Sequence, residues 1–220
     1  MKKIIYKSAF ILALTVGVSS CSKLNEKVLD EILVTTNLSD KQIADGLIAP
    51  VYARLPDIFL HTNYFTLQEI STDEAILPYR GGTDWGDNGI YLSMHKHETT
   101  SPDVNVKNTW NLITQEISRT VTAITSLKDN KDASAPLYIA EARGMRAYYN
   151  LLSLDLFGIS FVKEDAQELS KIIRGAEAVE YIKNELLAVE PVLDNTTGPG
   201  RLTKAAVWGL LARLYLNKGV

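Results

Sequence analysis

The chain has one cysteine, Cys21. With no second thiol it cannot close an internal disulfide, and clustered thiolate sites for zinc or iron–sulfur are excluded too. Excess positive charge is also missing. Lys and Arg number 23 against 26 Asp and Glu, and the formal charge of -3 argues against a nucleic-acid binder. No stretch after the first twenty residues is apolar and long enough to span a bilayer. There is no Gly-rich phosphate loop ahead of a helix and no serine elbow. What remains is 46% hydrophobic and 22% charged, an ordinary globular composition.

The first twenty residues differ from the rest. Lys2, Lys3 and Lys7 precede an apolar run from Ala9 to Val18, which ends in Ser19 and Ser20, the tripartite layout of a signal peptide. Val18, Ser19, Ser20 and Cys21 resemble the lipobox of bacterial lipoproteins, in which the cysteine is acylated and becomes the first mature residue. The competing readings are a plain secretory signal with an incidental cysteine, or an N-terminal apolar helix in a cytosolic protein. Acyl chains on Cys21, each stabilising insertion by about 0.8 kcal/mol per buried methylene, would hold the protein on a membrane. Removing residues 1–20, which carry three lysines and no acid, takes the formal charge from -3 to -6. The expected organisation is a signal peptide over 1–20, a tether over 21–37 and a helical domain over 38–220.

Ser39 and Gln42 have the spacing of a capping box, and Ile43, Leu47, Val51 and Leu55 continue a helical face until Pro56, predicting one helix from Ser39 to Leu55. From about Leu77 to Asp103 the pattern gives way to Gly, Asp, Asn and aromatics, predicting a long loop with at most short strands. Helices are predicted near Val106–Leu127, Pro136–Phe157, Ala176–Leu193 and Thr203–Asn217.

Two of these helices share a pattern. Ala140, Gly144, Ala147 and Leu151 recur as Ala205, Gly209, Ala212 and Leu216, and small residues on one face allow close helix packing. Trp208, Leu211, Ala212 and Tyr215 match the opening of a tetratricopeptide repeat with Ala in place of Gly, and Trp110, Ile113 and Ile117 echo it. The fold class is therefore mainly all-α, with stacked tetratricopeptide-like helix pairs and a long irregular loop insertion. A chain ending at Val220 leaves the last helix without the partner of its pair, which reads as truncation at the C-terminus.

Several motifs resemble the SusD/RagB family of outer-membrane nutrient-binding lipoproteins. The strongest runs from Ala140 through Glu141, Ala142, Arg143, Gly144, Met145, Arg146, Ala147, Tyr148 and Tyr149 to Leu154, Leu156, Phe157 and Gly158. The second is Gly200, Arg201, Leu202, Thr203, Lys204, Ala205 and Ala206, leading into Leu211–Leu216. Tyr52, Leu55, Thr72–Glu74, Trp110 and Arg174 support it. After Gly158 the chain reads Ile159, Ser160, Phe161 and Val162 where the family usually places a proline turn, so that loop is expected to differ in shape. The resemblance implies a longer, non-enzymatic protein, without a cofactor, that captures oligosaccharides, or less often peptides, at the cell surface. Its partner would be a SusC-like TonB-dependent transporter, with lipidated Cys21 as the tether. A scaffold of an outer-membrane assembly would share the anchor and the helices without needing a ligand loop. A glycoside hydrolase would need a carboxylate pair, and no such pair is indicated.

Sugars stack on aromatic faces and bond to planar polar groups. The loop from Pro78 to Tyr91 mixes both kinds, with Tyr79, Arg80, Trp85, Asn88 and Tyr91 as candidate ligand contacts, beside Asp84 and Asp87. The resemblance puts this loop on the ligand side, and Asp73 beside it as an organising residue or a further contact. The alternative is that the aromatics pack on the helices below. His95, His97 and Glu98 lack a third metal ligand at a recognised spacing and read as a solvated strand. Glu141, Arg143 and Arg146, charged residues in an apolar helix, are expected to make structural hydrogen bonds.

Overall fold

The computed structural model describes residues 37–82 and 87–218. Cys21, the expected signal segment and Trp85 lie outside them. The chain divides between Asn37 and Leu38 into two units, and the helices and strands of the described residues all belong to the second.

Helix α1 (Asp40–Ile48) starts at the capping box: Ser39 Oγ accepts from Gln42 N, and the Gln42 side chain accepts from Ser39 N at 2.9 Å. The single helix expected as far as Leu55 is instead three pieces, α1, α2 (Pro50–Ala53) and α3 (Leu55–Ile58). Pro50 and Pro56 cause the breaks. Each lies in the first turn of the piece it belongs to, where a missing N–H costs nothing, and each prevents the preceding helix from running on. Helix α4 (Tyr64–Glu69) follows.

The stretch predicted as a loop contains a further helix, α5 (Ile90–His95). Gly89 caps it at φ 79°, and Tyr91 and Met94, three residues apart, are both buried. His95 therefore sits on a helix and His97 in a left-handed conformation at φ 57°, so the strand expected there is absent.

The long helices match their expected positions closely. Helix α6 (Val104–Leu127) buries Ile113, Ile117, Val121, Ile124 and Leu127. Its buried threonines satisfy their hydroxyls on their own backbone, Thr109 on Asn105 O at 2.7 Å and Thr120 on Ile117 O at 2.6 Å. Helix α7 (Ala135–Phe157) packs against α6 and α8 (Gly175–Val189) and more lightly against α1 and α9 (Lys204–Lys218). It is the central element, which explains why charged side chains such as Glu141 and Arg146 lie buried in it. No helix among the described residues is long and apolar enough to cross a membrane.

Gly158, at φ 69°, ends α7 and turns the chain into an antiparallel hairpin of β1 (Ile159–Val162) and β2 (Lys171–Arg174), with Ile159 opposite Arg174. Asn150 fastens the hairpin to the helix: its Oδ1 accepts from Phe161 N at 2.6 Å, and Ser160 Oγ donates to Asn150 O at 3.1 Å. The segment expected to depart from the family turn is this strand.

The two copies of the small-residue pattern have different surroundings. Ala140, Gly144, Ala147 and Leu151 are all buried. At Gly144 a Cβ would stand 2.2 Å from a terminal methyl of Leu202 and 3.5 Å from Val189, so glycine is needed for the approach of the segment before α9. Ala205, Gly209, Ala212 and Leu216 face outward, and Leu216 is 84% exposed. The buried stripe of α9 is Val207, Leu211 and Leu214.

Candidate ligand-binding site

The charged residues of α7 join distant parts of the chain. Glu141 is fully buried and accepts from Arg201 Nε at 2.9 Å and a terminal guanidinium nitrogen at 2.6 Å, the bidentate geometry that arginine suits. Tyr52 Oη donates to the same carboxylate at 2.7 Å and accepts from Leu202 N at 3.1 Å. Burial, with the adjacent Glu141 charge, pushes the Tyr52 phenol well above its ordinary range, so it stays a donor. The two strongest motifs of the family resemblance thus meet through Glu141 and Arg201, with Tyr52 between them.

A second network lies further along α7. Arg146 is 1% exposed and donates to Glu185 at 2.6 Å and to Lys163 O at 2.7 Å. Arg143 reaches the other Glu185 oxygen at 2.6 Å. Burial alone would raise the Glu185 carboxyl, but the two guanidiniums outweigh it and hold it below the usual carboxylate range. Glu116, also fully buried, shows the opposite balance: burial raises its carboxyl, and Arg119 only partly offsets this. Arg143 and Arg146 thus join α7 to α8, as expected for charges in an apolar helix, whereas Glu116 pairs within α6.

The candidate loop residues have unlike settings. Asp73 lies in the exposed turn after α4, where Thr72 Oγ1 accepts from Glu74 N at 3.2 Å. Tyr79 is 41% exposed and its Cβ lies 3.7 Å from the position a Cβ on Gly89 would take, so it rests against the turn that starts α5. Arg80 is exposed, as is Asn88, which holds φ 53°. Tyr91, on α5, is 4% exposed, and burial pushes its phenol above the ordinary range, with the Asn105 side chain of α6 nearby partly offsetting this. The structure therefore brings Tyr79 and Gly89 together at the root of the loop, just before Tyr91 on α5. Its outer part carries Arg80 and Asn88. Trp85 and Asp84 are outside the described residues.

Two clefts escaped the sequence. One, of about 380 Å³, is lined by Tyr52, Leu55, Met145, Tyr148, Gly209 and Arg213 and lies on the outward small-residue face of α9. Burial pushes the Tyr148 phenol there to about 12. The other, of about 470 Å³, is polar and is lined by residues of α2–α3, the turn before α4 and the outer face of α6. The spacing of Asn108, Asn111 and Gln115 was a signal for the second cleft, but on an amphipathic helix it is indistinguishable from an ordinary solvated face.

No protein-family model matches the chain. Over 241 aligned residues it is 28% identical to the starch-binding protein SusD of Bacteroides thetaiotaomicron, an alignment covering 99% of this chain and 42% of SusD. Among solved structures it is similar to a laminarin-binding SusD-like protein, with a TM-score of 0.68, 20% identity, and coverage of 83% of this chain and 41% of that one. A SusD superfamily protein from Parabacteroides distasonis is similar at a TM-score of 0.65 and 24% identity, covering 81% and 40% of the two chains. A surface glycan-binding protein A from Bacteroides fluxus follows at 0.64 and 22%, covering 81% and 40%. The chain spans about two fifths of the length of these relatives. Along nearly its whole length the chain is similar in sequence to SusD, and over its described residues it has a SusD-like fold.

Proposed function

We propose that the chain is part of a non-enzymatic, cell-surface binding protein that captures oligosaccharides for a SusC-like TonB-dependent transporter. The observation that carries this reading is the similarity to starch-binding SusD along 99% of the chain, supported by the fold shared with a laminarin-binding relative. Ligand contacts come from the loop that α5 anchors, with Tyr79, Arg80, Trp85 and Asn88 toward the sugar, Asp73 beside them and Tyr91 fixing the loop from beneath. An aromatic face beside planar guanidinium and carboxamide groups suits a pyranose, whose axial hydrogens stack while its hydroxyls bond. Acylated Cys21 tethers the protein to the outer membrane, with residues 22–37 as the spacer. Burial of Glu141 on α7 and Glu185 on α8 in structural pairs fits a binding role, because it leaves them no part in acid–base chemistry.

Trp85→Ala tests the ligand site. On immobilised starch, laminarin and xyloglucan, the unaltered protein should be retarded on at least one polysaccharide, and the variant should run with the void volume. Unchanged retention would refute the loop as the ligand site. The anchor and surface placement are checked by labelling with an alkyne-bearing fatty acid, which Cys21→Ser should abolish, and by protease shaving of intact cells, which should digest the protein.

A further inference from the structure

We propose that the polar cleft between α2–α3 and α6 is a second binding site, separate from the loop, for a neutral polyhydroxylated ligand such as a short uncharged glycan. The cleft, of about 470 Å³, falls within the range of small-molecule sites, roughly 300–1,000 Å³. Three of its lining residues are carboxamides on one helix. Asn108, Asn111 and Gln115 stand three and then four residues apart, so they form one stripe along α6, and all three are exposed. Each offers two N–H donors and a carbonyl acceptor in one plane, the pattern that vicinal hydroxyls satisfy.

An independent observation comes from the opposite side. Asn63 is only 5% exposed and lines the same cleft. Its Nδ2 donates to Asp57 O at 2.6 Å, and this bond to a carbonyl fixes which end of the amide is oxygen. The remaining Oδ1 is buried and has no hydrogen-bond partner among the described residues. A buried amide oxygen left unpaired costs about 1–3 kcal/mol, a cost that a ligand hydroxyl recovers once a small turn of Asn63 opens the oxygen to the cleft.

Charge selects the ligand class. The cation and the anion of the lining, Arg54 and Asp57, are paired with each other. A charged ligand would have to break that pair, whereas a neutral one can use the outer edges of both. Leu112, between Asn111 and Gln115 on the same helix, supplies an apolar surface for the C–H face of a sugar ring.

The inference rests on the proposed glycan function only for the choice of probe. The test is a titration of the isotopically labelled intact chain in detergent with maltotriose, laminaritriose and cellotriose, following side-chain amide signals by NMR. Signals of Asn63, Asn108 and Asn111 should shift with at least one trisaccharide and should still shift in Trp85→Ala. The variant N108A/N111A alters exposed helix positions to the best helix former, so the fold is kept. Its affinity at the cleft should drop roughly tenfold or more, the equivalent of about 1.4 kcal/mol. Amide signals that stay fixed with all three sugars, or an unchanged affinity in N108A/N111A, would overturn the proposal. Shifts confined to residues 79–91 would leave the loop reading standing and remove the cleft; shifts confined to the cleft would do the reverse.

Discussion

Arg201→Met removes the cation that faces Glu141 and keeps an unbranched stem of similar length. The two partners differ in their access to water. The Glu141 side chain is 0% exposed, whereas that of Arg201 is 31% exposed and stacks over the Tyr138 ring at 4.6 Å. Removing the arginine therefore strands a buried carboxylate with Tyr52 as its remaining partner among those described. Breaking a buried pair in this way costs about 3–5 kcal/mol. Glu141→Gln is a milder change. The carbonyl still accepts from Arg201 or Tyr52, and the guanidinium turns to solvent, so the cost is about 1–2 kcal/mol. The double variant strands no charge and should be more stable than Arg201→Met alone. Urea denaturation of the four proteins, compared at equal m-values, gives the coupling directly. Arg201→Met losing less than about 1 kcal/mol, the cost of an ordinary substitution, would refute the reasoning. So would Glu141→Gln proving as damaging as Arg201→Met.

Gly144→Val would drive a branched side chain into Leu202 and Val189 and should cost about 2–3 kcal/mol by overpacking, with Leu202→Ala in the same chain restoring part of it; thermal melts check both. Glu185 gives a pH dependence. Its folded carboxyl is held below the ordinary range, so the stabilisation is fully present above the unfolded carboxylate range and is lost as pH falls through the folded value. Glu185→Gln should therefore be less stable at neutral pH and show a flatter decline in acid. Parallel acid limbs for variant and unaltered protein would contradict this.

Features set by local chemistry were readable from the sequence. The capping box of Ser39 and Gln42 acts over three residues, and the long helices carry their buried faces in their spacing. The first helix was overextended because its apolar face continues across Pro50, while the backbone cannot. Helix α5 was hidden because its two anchors, Tyr91 and Met94, stand among glycine and polar residues that signal a loop. The β1–β2 hairpin depends on Asn150, a residue of α7 whose link to Phe161 no pattern in the strand reveals. At the candidate site the loop was legible by composition. The burial of Tyr91 was not, because it depends on packing against α6. The charges of α7 were expected to pair, but their partners, Glu185 and Arg201, lie 39 to 60 positions away, a distance only the fold can close. The same holds for Asn63, which reaches the carboxamide stripe of α6 across more than forty intervening residues.

The contacts at Glu141 also impose an order in time. Synthesis runs from the N-terminus, so the carboxylate is made sixty residues before its arginine, and Tyr52 precedes the amide of Leu202 by 150. Until the Gly200–Thr203 segment emerges, α7 carries an anion without its counter-cation, and Gly144 has an open groove where Leu202 belongs. Arg201 and Leu202 deliver charge neutralisation and a filling methyl group to α7 from one short segment.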